Sequence, residues 1–440
     1  MSPSTPRVGA PPAPKPLLGV AQSGVAGQLA ELIETVVGAP PPIRIRAWDG
    51  SEAGVTGPDV PVVIVRSSRA LRRLLFCPGE LGLARAFVSG DLDFEGDLAD
   101  GLRRFRRLAQ GRPPVRVGVA QRWGSLRLGL RLGALGTPPR PPRSEARLSG
   151  KLHTRPRDRE AIAHHYDFGN NFYQLLLDPR MVYSCAYWAQ PPGEKPGYGL
   201  VEAQRDKLDL VCRKLELAGG SRLLDVGCGW SSLIVHAGSD YQARATGVTL
   251  SAQQRAFGRE RINDLGLADR VEARLLDYRE LTAGGLDSGF DAVSSLEMGE
   301  HVGERDYPTY ARTLFQMVRP GGRLLLQQMS RGAGGADASP GGGPFIERYI
   351  APDMHMRPLG DTVALVERAG FEVRDVQAMR EHYVWTVRCW LDTLHERREE
   401  VVALVGDEQY RVWQLYLTGA ALAFEENRMG VHQILAVRPD

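Results

Sequence analysis

Two glycines separated by one residue, Gly227-Cys228-Gly229, follow directly on the apolar run Leu223-Leu224-Asp225-Val226. Glycine tolerates backbone conformations closed to other residues, so the pair lets the chain turn sharply and approach a ligand at the N-terminus of the next helix. Asp225 stands two residues ahead of the first glycine. A dinucleotide fingerprint, GxGxxG, would continue with further glycines where this chain has Ser231 and Ser232, which favours a cofactor without phosphates. A second stretch is chemically loaded by charge. Residues 102–160 hold sixteen Lys and Arg against three acids, within a chain whose net charge is only +3. Such a segment seeks anions: a solvated basic linker, anionic lipid headgroups and nucleic acid all fit it, and composition alone does not choose. Arg103, Arg104, Arg106 and Arg107 cluster on one helical pattern. Arg122, Arg127 and Arg131 are interleaved with Trp123, Leu126, Leu128, Leu130 and Leu132, the texture of a basic amphipathic helix lying on a bilayer.

The elements that must position these residues are legible from hydrophobic periodicity. From Ser221 onward, strands (RLLDVGCG, RATGVTLS, RVEARLLD, FDAVSSLEM, GGRLLLQQMS) alternate with helices (from Ser231, over AQQRAFGRERINDLG, and around YPTYARTLFQMV). That alternation predicts an α/β fold with a parallel sheet covered on both faces and a ligand at the carboxyl ends of its strands. Before it, residues 24–132 read as a smaller mixed α+β domain: a helix at GVAGQLAELIETVVG, strands at PPIRIRAWDG and VPVVIVRS, and a helix at SRALRRLLF. Residues 1–23 read as a disordered Pro-rich tail, residues 133–158 as a basic Pro/Gly-rich linker, and residues 159–440 as the second domain. The segment 331–344, RGAGGADASPGGGP, reads as a mobile loop. At 440 residues, 43% hydrophobic and 24% charged, the chain has ample core for two domains and no run of about 20 apolar residues to span a bilayer. The N-terminal stretch lacks the apolar centre of a secretory signal, and the five cysteines (Cys77, Cys185, Cys212, Cys228, Cys389) include no CxxC pair, so neither a disulfide framework nor a zinc site is expected and a reducing cytoplasm fits.

The run LLDVGCGW (223–230), with GVTLSAQQ (247–254) and LLDYREL (275–281), resembles the class I methyltransferase core in the form used by cyclopropane fatty acid synthases. Two longer stretches, HHYDFGNNFYQLLLDPRMVYSCAYW (164–188) and EMGEHVG (297–303), look like that family alone, and SGDLDFEGDL (89–98) is a weaker echo; the resemblance covers about residues 80–430. It implies a Rossmann-like, mostly parallel seven-stranded sheet and S-adenosyl-L-methionine as cofactor. By that resemblance Gly227 and Gly229 bound the cofactor's amino acid end, Tyr183 and Ser184 cap it, Thr249 and Gln254 lie near the ribose, and Asp277 and Tyr278 hold the adenine. Asp225, Cys228 and Leu250 complete the expected cofactor set, and His165, Tyr166, Asp167, Asn170, Tyr173 and Tyr349 the expected substrate contacts.

The activity so implied is methyl transfer to the cis double bond of an unsaturated acyl chain in a membrane phospholipid. An alkene is a poor nucleophile, so such a site must hold the sulfonium methyl against it, exclude water and stabilise a carbocation. Aromatic ring faces suit that cation, and Tyr166, Phe168, Tyr173, Tyr187, Trp188 and Tyr383 are candidates alongside ordinary core roles. The family binds bicarbonate as the base that removes the final proton, and the matching positions here are Cys185, Glu300 and Tyr383. The chain departs from the family pattern at three places. Gln327 stands where a histidine is usual, Glu297 where glycine is usual, and Ala420 where a cysteine is usual. An uncharged Gln327 would hold bicarbonate less tightly or in a shifted pose, and slower deprotonation lets a hydride shift come first. The product is then an exocyclic methylene branch and not a cyclopropane. An actinobacterial branch of the family is similar in these departures; it forms 10-methylene chains from oleoyl phospholipid, which a flavin-dependent reductase converts to 10-methyl. The expected setting is cytoplasmic and peripheral on the inner face of an anionic membrane, compatible with a homodimer and without a nucleic acid partner. Three rivals remain at this level: a true cyclopropane synthase, a nucleic-acid methyltransferase, which lacks its expected Asn-Pro-Pro-Tyr-like or paired-cysteine motif here, and a lipid-binding scaffold with a decayed cofactor site.

Overall fold

The computed structural model describes residues 24–109, 128–129, 131–134, 136–146, 154, 157, 169–332 and 341–440. The chain divides into two compact units at Arg140/Pro141. The expected tail (1–23), most of the basic amphipathic stretch and the centre of the 331–344 loop lie outside the described residues, as do His165, Tyr166, Asp167 and Phe168.

In the first unit, α1 (Val25–Val37), β1 (Arg44–Ala47), β2 (Glu52–Gly54), β3 (Val62–Val65), α2 (Ser68–Phe76), α3 (Glu80–Val88), β4 (Leu92–Glu95) and α4 (Leu98–Ala109) form a four-stranded mixed sheet, ordered β2-β1-β3-β4, with helices. Ser67 caps α2 by accepting from the Arg69 amide at 3.3 Å. Buried Asp91 ties the helices to the sheet, accepting from Arg73 Nε at 2.8 Å and Arg69 Nε at 3.0 Å. The strands β2 and β4 and the helix α3 are additions to the elements expected from periodicity.

The second unit carries α5 (Asn170–Leu176), α6 (Leu200–Lys214), β5 (Arg222–Val226), α7 (Ser232–Asp240), β6 (Arg244–Thr249), α8 (Ala252–Asp264), β7 (Val271–Leu275), β8 (Phe290–Leu296), α9 (Tyr307–Met317), β9 (Val318–Arg331), α10 (Pro344–Tyr349), α11 (Leu359–Arg368), β10 (Glu372–Ala378), α12 (Arg380–Glu396), α13 (Arg398–Val405), α14 (Asp407–Glu425) and β11 (Met429–Val437). Its seven-stranded sheet has the order β10-β11-β9-β8-β5-β6-β7, and β11 alone runs against the others. The central strands β5 and β8 are buried almost throughout, as expected for parallel strands covered on both faces. This is the class I methyltransferase arrangement. A third layer, α5 with α12, α13 and α14, gathers an aromatic core of Phe172, Tyr173, Trp390, Trp413 and Phe424. Residues 141–146, expected as part of an exposed linker, instead pack on this unit: Glu145 and Ala146 are buried, and the Ala146 amide donates to the Arg348 carbonyl at 2.7 Å. No described helix is long and apolar enough to cross a membrane.

Candidate active site

The strand order reverses at β5, whose neighbours are β6 on one side and β8 on the other, so a cleft opens at their carboxyl ends. The β5–α7 turn fills its floor. Gly227 has φ +86° and Gly229 φ +52°, and a Cβ at Gly227 would come within 2.9 Å of the Met298 side chain, so both conformation and space call for glycine. The cavity is lined from this turn by Gly227, Cys228, Gly229 and Trp230, from the end of β6 by Thr249, Leu250 and Gln254, and from beyond β7 by Leu276, Tyr278 and Arg279. Glu297, Met298 and His301 close it from beyond β8, Tyr183 and Ser184 from the segment ahead of α6, and Lys207 from α6 itself. Thr249 Oγ1 donates to Gln254 Oε1 at 2.9 Å, which fixes both side chains at the rim of β6. Ser294 Oγ donates to Asp225 Oδ1 at 2.7 Å; burial nevertheless lifts the Asp225 carboxyl to about 6. An apolar slot with an acidic end, hydroxyl and amide groups beside it and an aromatic residue at the far side fits S-adenosylmethionine, whose ammonium, ribose and adenine need those partners in that order.

Beside this cavity three of the five expected catalytic residues, Cys185, Gln327 and Tyr383, converge on the carboxylate of a fourth, Glu297. Glu297 Oε1 accepts from the Cys185 amide at 2.7 Å and from Gln327 Nε2 at 2.9 Å, and Oε2 accepts from the Tyr383 hydroxyl at 2.6 Å. Gln327 is itself locked, because its Oε1 accepts from Gln433 Nε2 at 2.9 Å and its Nε2 also reaches the Cys185 carbonyl at 3.2 Å. Glu297 sits at φ +53°, a left-handed conformation that costs a non-glycine residue on the order of 1 kcal/mol. Buried Glu300 has no side-chain hydrogen-bond partner for either carboxylate oxygen among the described residues. Burial, with the nearby Glu297 charge second, pushes its carboxyl up to about 8, so Glu300 is mostly protonated at neutral pH. Burial, reinforced by Glu297, also holds the Cys185 thiol far above its ordinary range, and it carries no thiolate. The donors matching a bicarbonate site in the family, Cys185 and Tyr383, are occupied by the Glu297 carboxylate, so the residues present do not fit a separate bound anion there.

The other expected residues fall into three groups. Tyr183, Ser184, Gly227, Cys228, Gly229, Thr249, Leu250, Gln254 and Tyr278 line the cavity, as does Asp225. Asn170 and Tyr173 act behind it: Asn170 Oδ1 accepts from Trp230 Nε1 at 2.9 Å, and the Tyr173 ring lies 4.7 Å from that of Trp230. Asp277 and Tyr349 are turned elsewhere. The Asp277 carboxylate accepts from Arg279 at 2.6 and 2.8 Å, leaving Arg279 to face the cavity in its place. The Tyr349 hydroxyl donates to Glu145 Oε2 at 3.3 Å, and the cavity wall is continued by Ala351, Pro352 and Asp353. Sequence reasoning missed Lys207, which is buried, donates to Ser184 Oγ at 2.8 Å and feels Glu297, Asp178 and Asp225. Its signal was present: with Ala203, Gln204, Leu208 and Val211 it occupies the buried stripe of α6, where an unpaired lysine is out of place.

The family profile "Mycolic acid cyclopropane synthetase" matches residues 153–434. The chain belongs to that family. A probable fatty acid methyltransferase of Pseudomonas putida is 37% identical over 399 residues, covering 90% of this chain and 92% of the relative. Tuberculostearic acid methyltransferase UfaA1 of Mycobacterium tuberculosis is 30% identical over 438 residues, covering 97% and 93%. Among solved structures, mycolic acid cyclopropane synthase CmaA1 complexed with SAH and CTAB aligns with a TM-score of 0.57 at 27% identity, over 63% of this chain and 98% of that one. This member of the cyclopropane synthetase family is thus an S-adenosylmethionine-dependent methyltransferase, and the cavity at the end of β5 is shaped and lined to take that cofactor.

Proposed function

We propose that the protein methylates the cis double bond of an oleoyl-type acyl chain in a membrane phospholipid and releases a 10-methylene chain, which a flavin-dependent reductase can convert to 10-methyl. The observation that carries this reading is the cluster beside the cofactor cavity, where the Cys185 amide, Gln327 and Tyr383 hold the Glu297 carboxylate in place. Relatives named for fatty acid and tuberculostearic acid methylation support the acyl substrate. S-adenosylmethionine supplies an electrophilic methyl on a sulfonium. The chain's own part is to set the alkene against it, exclude water and remove a proton afterwards. Tyr183, Trp230 and Tyr383 stand in an aromatic layer whose ring faces favour a passing cation. The timing of proton removal then selects the product. A base that meets the new methyl at once closes a cyclopropane ring, whereas one that meets it after a hydride shift leaves a methylene branch. A difference of about 1.4 kcal/mol between the two barriers is a tenfold change in product ratio.

Product analysis tests this. The protein, S-adenosylmethionine and oleoyl phospholipid vesicles are incubated, the acyl chains released and their masses read before and after ozonolysis. Both products add one CH2 unit, so mass alone does not separate them. The expected chain is cleaved by ozone to a mid-chain ketone. An ozone-resistant chain would make the protein a cyclopropane synthase, the second reading, which the description of the family profile supports.

A further inference from the structure

We infer that Glu297 is the catalytic base of this reaction, an acceptor built into the chain in the place where a bound anion would otherwise serve. The inference rests on the reading of the site as an alkene methyltransferase. Glu297 lines the cofactor cavity, and its carboxylate is held beside it by Cys185, Gln327 and Tyr383. Oε1 accepts two hydrogen bonds and Oε2 one, which leaves Oε2 with a lone pair for an incoming proton while the other contacts fix its aim. Only one negative charge fits the pair of neighbouring carboxylates. Glu297 holds three donors and the nearby buried Lys207, whereas Glu300 has no side-chain donor among the described residues, so the charge lies on Glu297. The same geometry answers why a left-handed backbone position carries glutamate: glycine would adopt φ +53° without strain, but would leave the Cys185 amide, Gln327 and Tyr383 with no acceptor. Gln327 suits this arrangement better than a histidine. It bridges Glu297 and Gln433 as a neutral donor and acceptor and competes for no proton.

The step balances without a further reactant. The sulfonium S–CH3 bond breaks with its electron pair left on sulfur, the methyl joins one alkene carbon and leaves positive charge on the other, and a hydride shift moves that charge to the methylated carbon. A C–H bond of the methyl then breaks, its electron pair becomes the methylene double bond, and the proton passes to Glu297 Oε2. Glu297 returns it to water when product leaves. Without the hydride shift, the same electron pair closes a cyclopropane.

The test compares the full-length protein with two variants on oleoyl phospholipid vesicles, in carbonate-free buffer and with added bicarbonate. Wild-type turnover should be the same in both. Glu297→Gln should lose about 100-fold or more in kcat, the usual range for a lost general base, with SAH affinity kept within a few-fold. Glu297→Gly should be comparably slow and recover when bicarbonate or formate is added. Wild-type turnover that depends on bicarbonate would overturn the assignment, as would Glu297→Gln turning over within tenfold of wild type, or Glu297→Gly that binds SAH and is not rescued. A wild-type protein that methylates no acyl chain under any condition would instead overturn the functional reading beneath it, and the assignment with it.

Discussion

Lys207 carries charge into a place where charge is expensive. Burial lowers its tendency to hold a proton, and Glu297, Asp178 and Asp225 oppose that shift. Removing the cation leaves those carboxylates without compensation, so Lys207→Met should destabilise the fold by about 3 kcal/mol, the range found when one member of a buried charge group is deleted. Chemical denaturation against wild type measures it, and a change below about 0.5 kcal/mol would show that the lysine is already neutral. Glu300 makes an independent prediction through pH. Its carboxyl is raised from 4.5 to about 8 by burial and by Glu297, so between those values the folded chain keeps a proton that the unfolded chain has lost. The contribution of Glu300 is therefore complete below its unfolded value and is lost as pH rises through about 8. Asp225, raised to about 6, acts in the same direction at lower pH. Thermal unfolding followed from about pH 5 to about pH 9 should show a falling midpoint for wild type, and Glu300→Gln should flatten the upper part of that fall.

At the scale of elements, the turn after β5 is the most demanding piece of backbone in the cofactor site. Gly227→Ala forces a left-handed alanine against Met298 and should weaken SAH binding tenfold or more while leaving far-UV circular dichroism unchanged. Titration calorimetry reads the affinity directly. That turn was also the feature most plainly written in the sequence, because a strand, two spaced glycines and a helix each have local signatures. The alternation from β5 to β9 was legible for the same reason. The antiparallel return of β11 was not: its pairing with β9 and β10 joins residues roughly a hundred and roughly fifty positions apart, as Gln433 with Gln327 and Ala378 with His432 show. Nor was the Glu297 network. Its donors come from a loop at Cys185, a strand at Gln327 and a helix at Tyr383, and only the fold brings them to one carboxylate. Asp277 illustrates the converse, since its spacing marks a strand end while in the structure its carboxylate pairs with its own neighbour Arg279.

For the molecule as a whole, the proposed reaction draws its two reactants from different phases: a charged nucleoside from water and an acyl chain from a bilayer. No described helix of the second unit is long and apolar enough to cross a membrane. The sixteen basic residues of 102–160 are the strongest cationic feature of the sequence. We propose that this segment holds the protein on anionic phospholipid. Each Lys or Arg near such a surface contributes about 1 kcal/mol, so replacing Arg103, Arg104, Arg106 and Arg107 with Gln should weaken partitioning by on the order of a hundred- to a thousand-fold. Wild-type binding should rise with the anionic fraction of the vesicles and fall steeply between low and about 1 M salt, where the screening length drops to about 3 Å. Co-sedimentation with vesicles of mixed anionic and zwitterionic lipid measures both. Turnover on detergent-dispersed substrate should survive the four replacements, because they touch presentation of the acyl chain and not the chemistry at Glu297; equal loss in detergent and on vesicles would place these arginines in folding and leave the membrane contact to other residues.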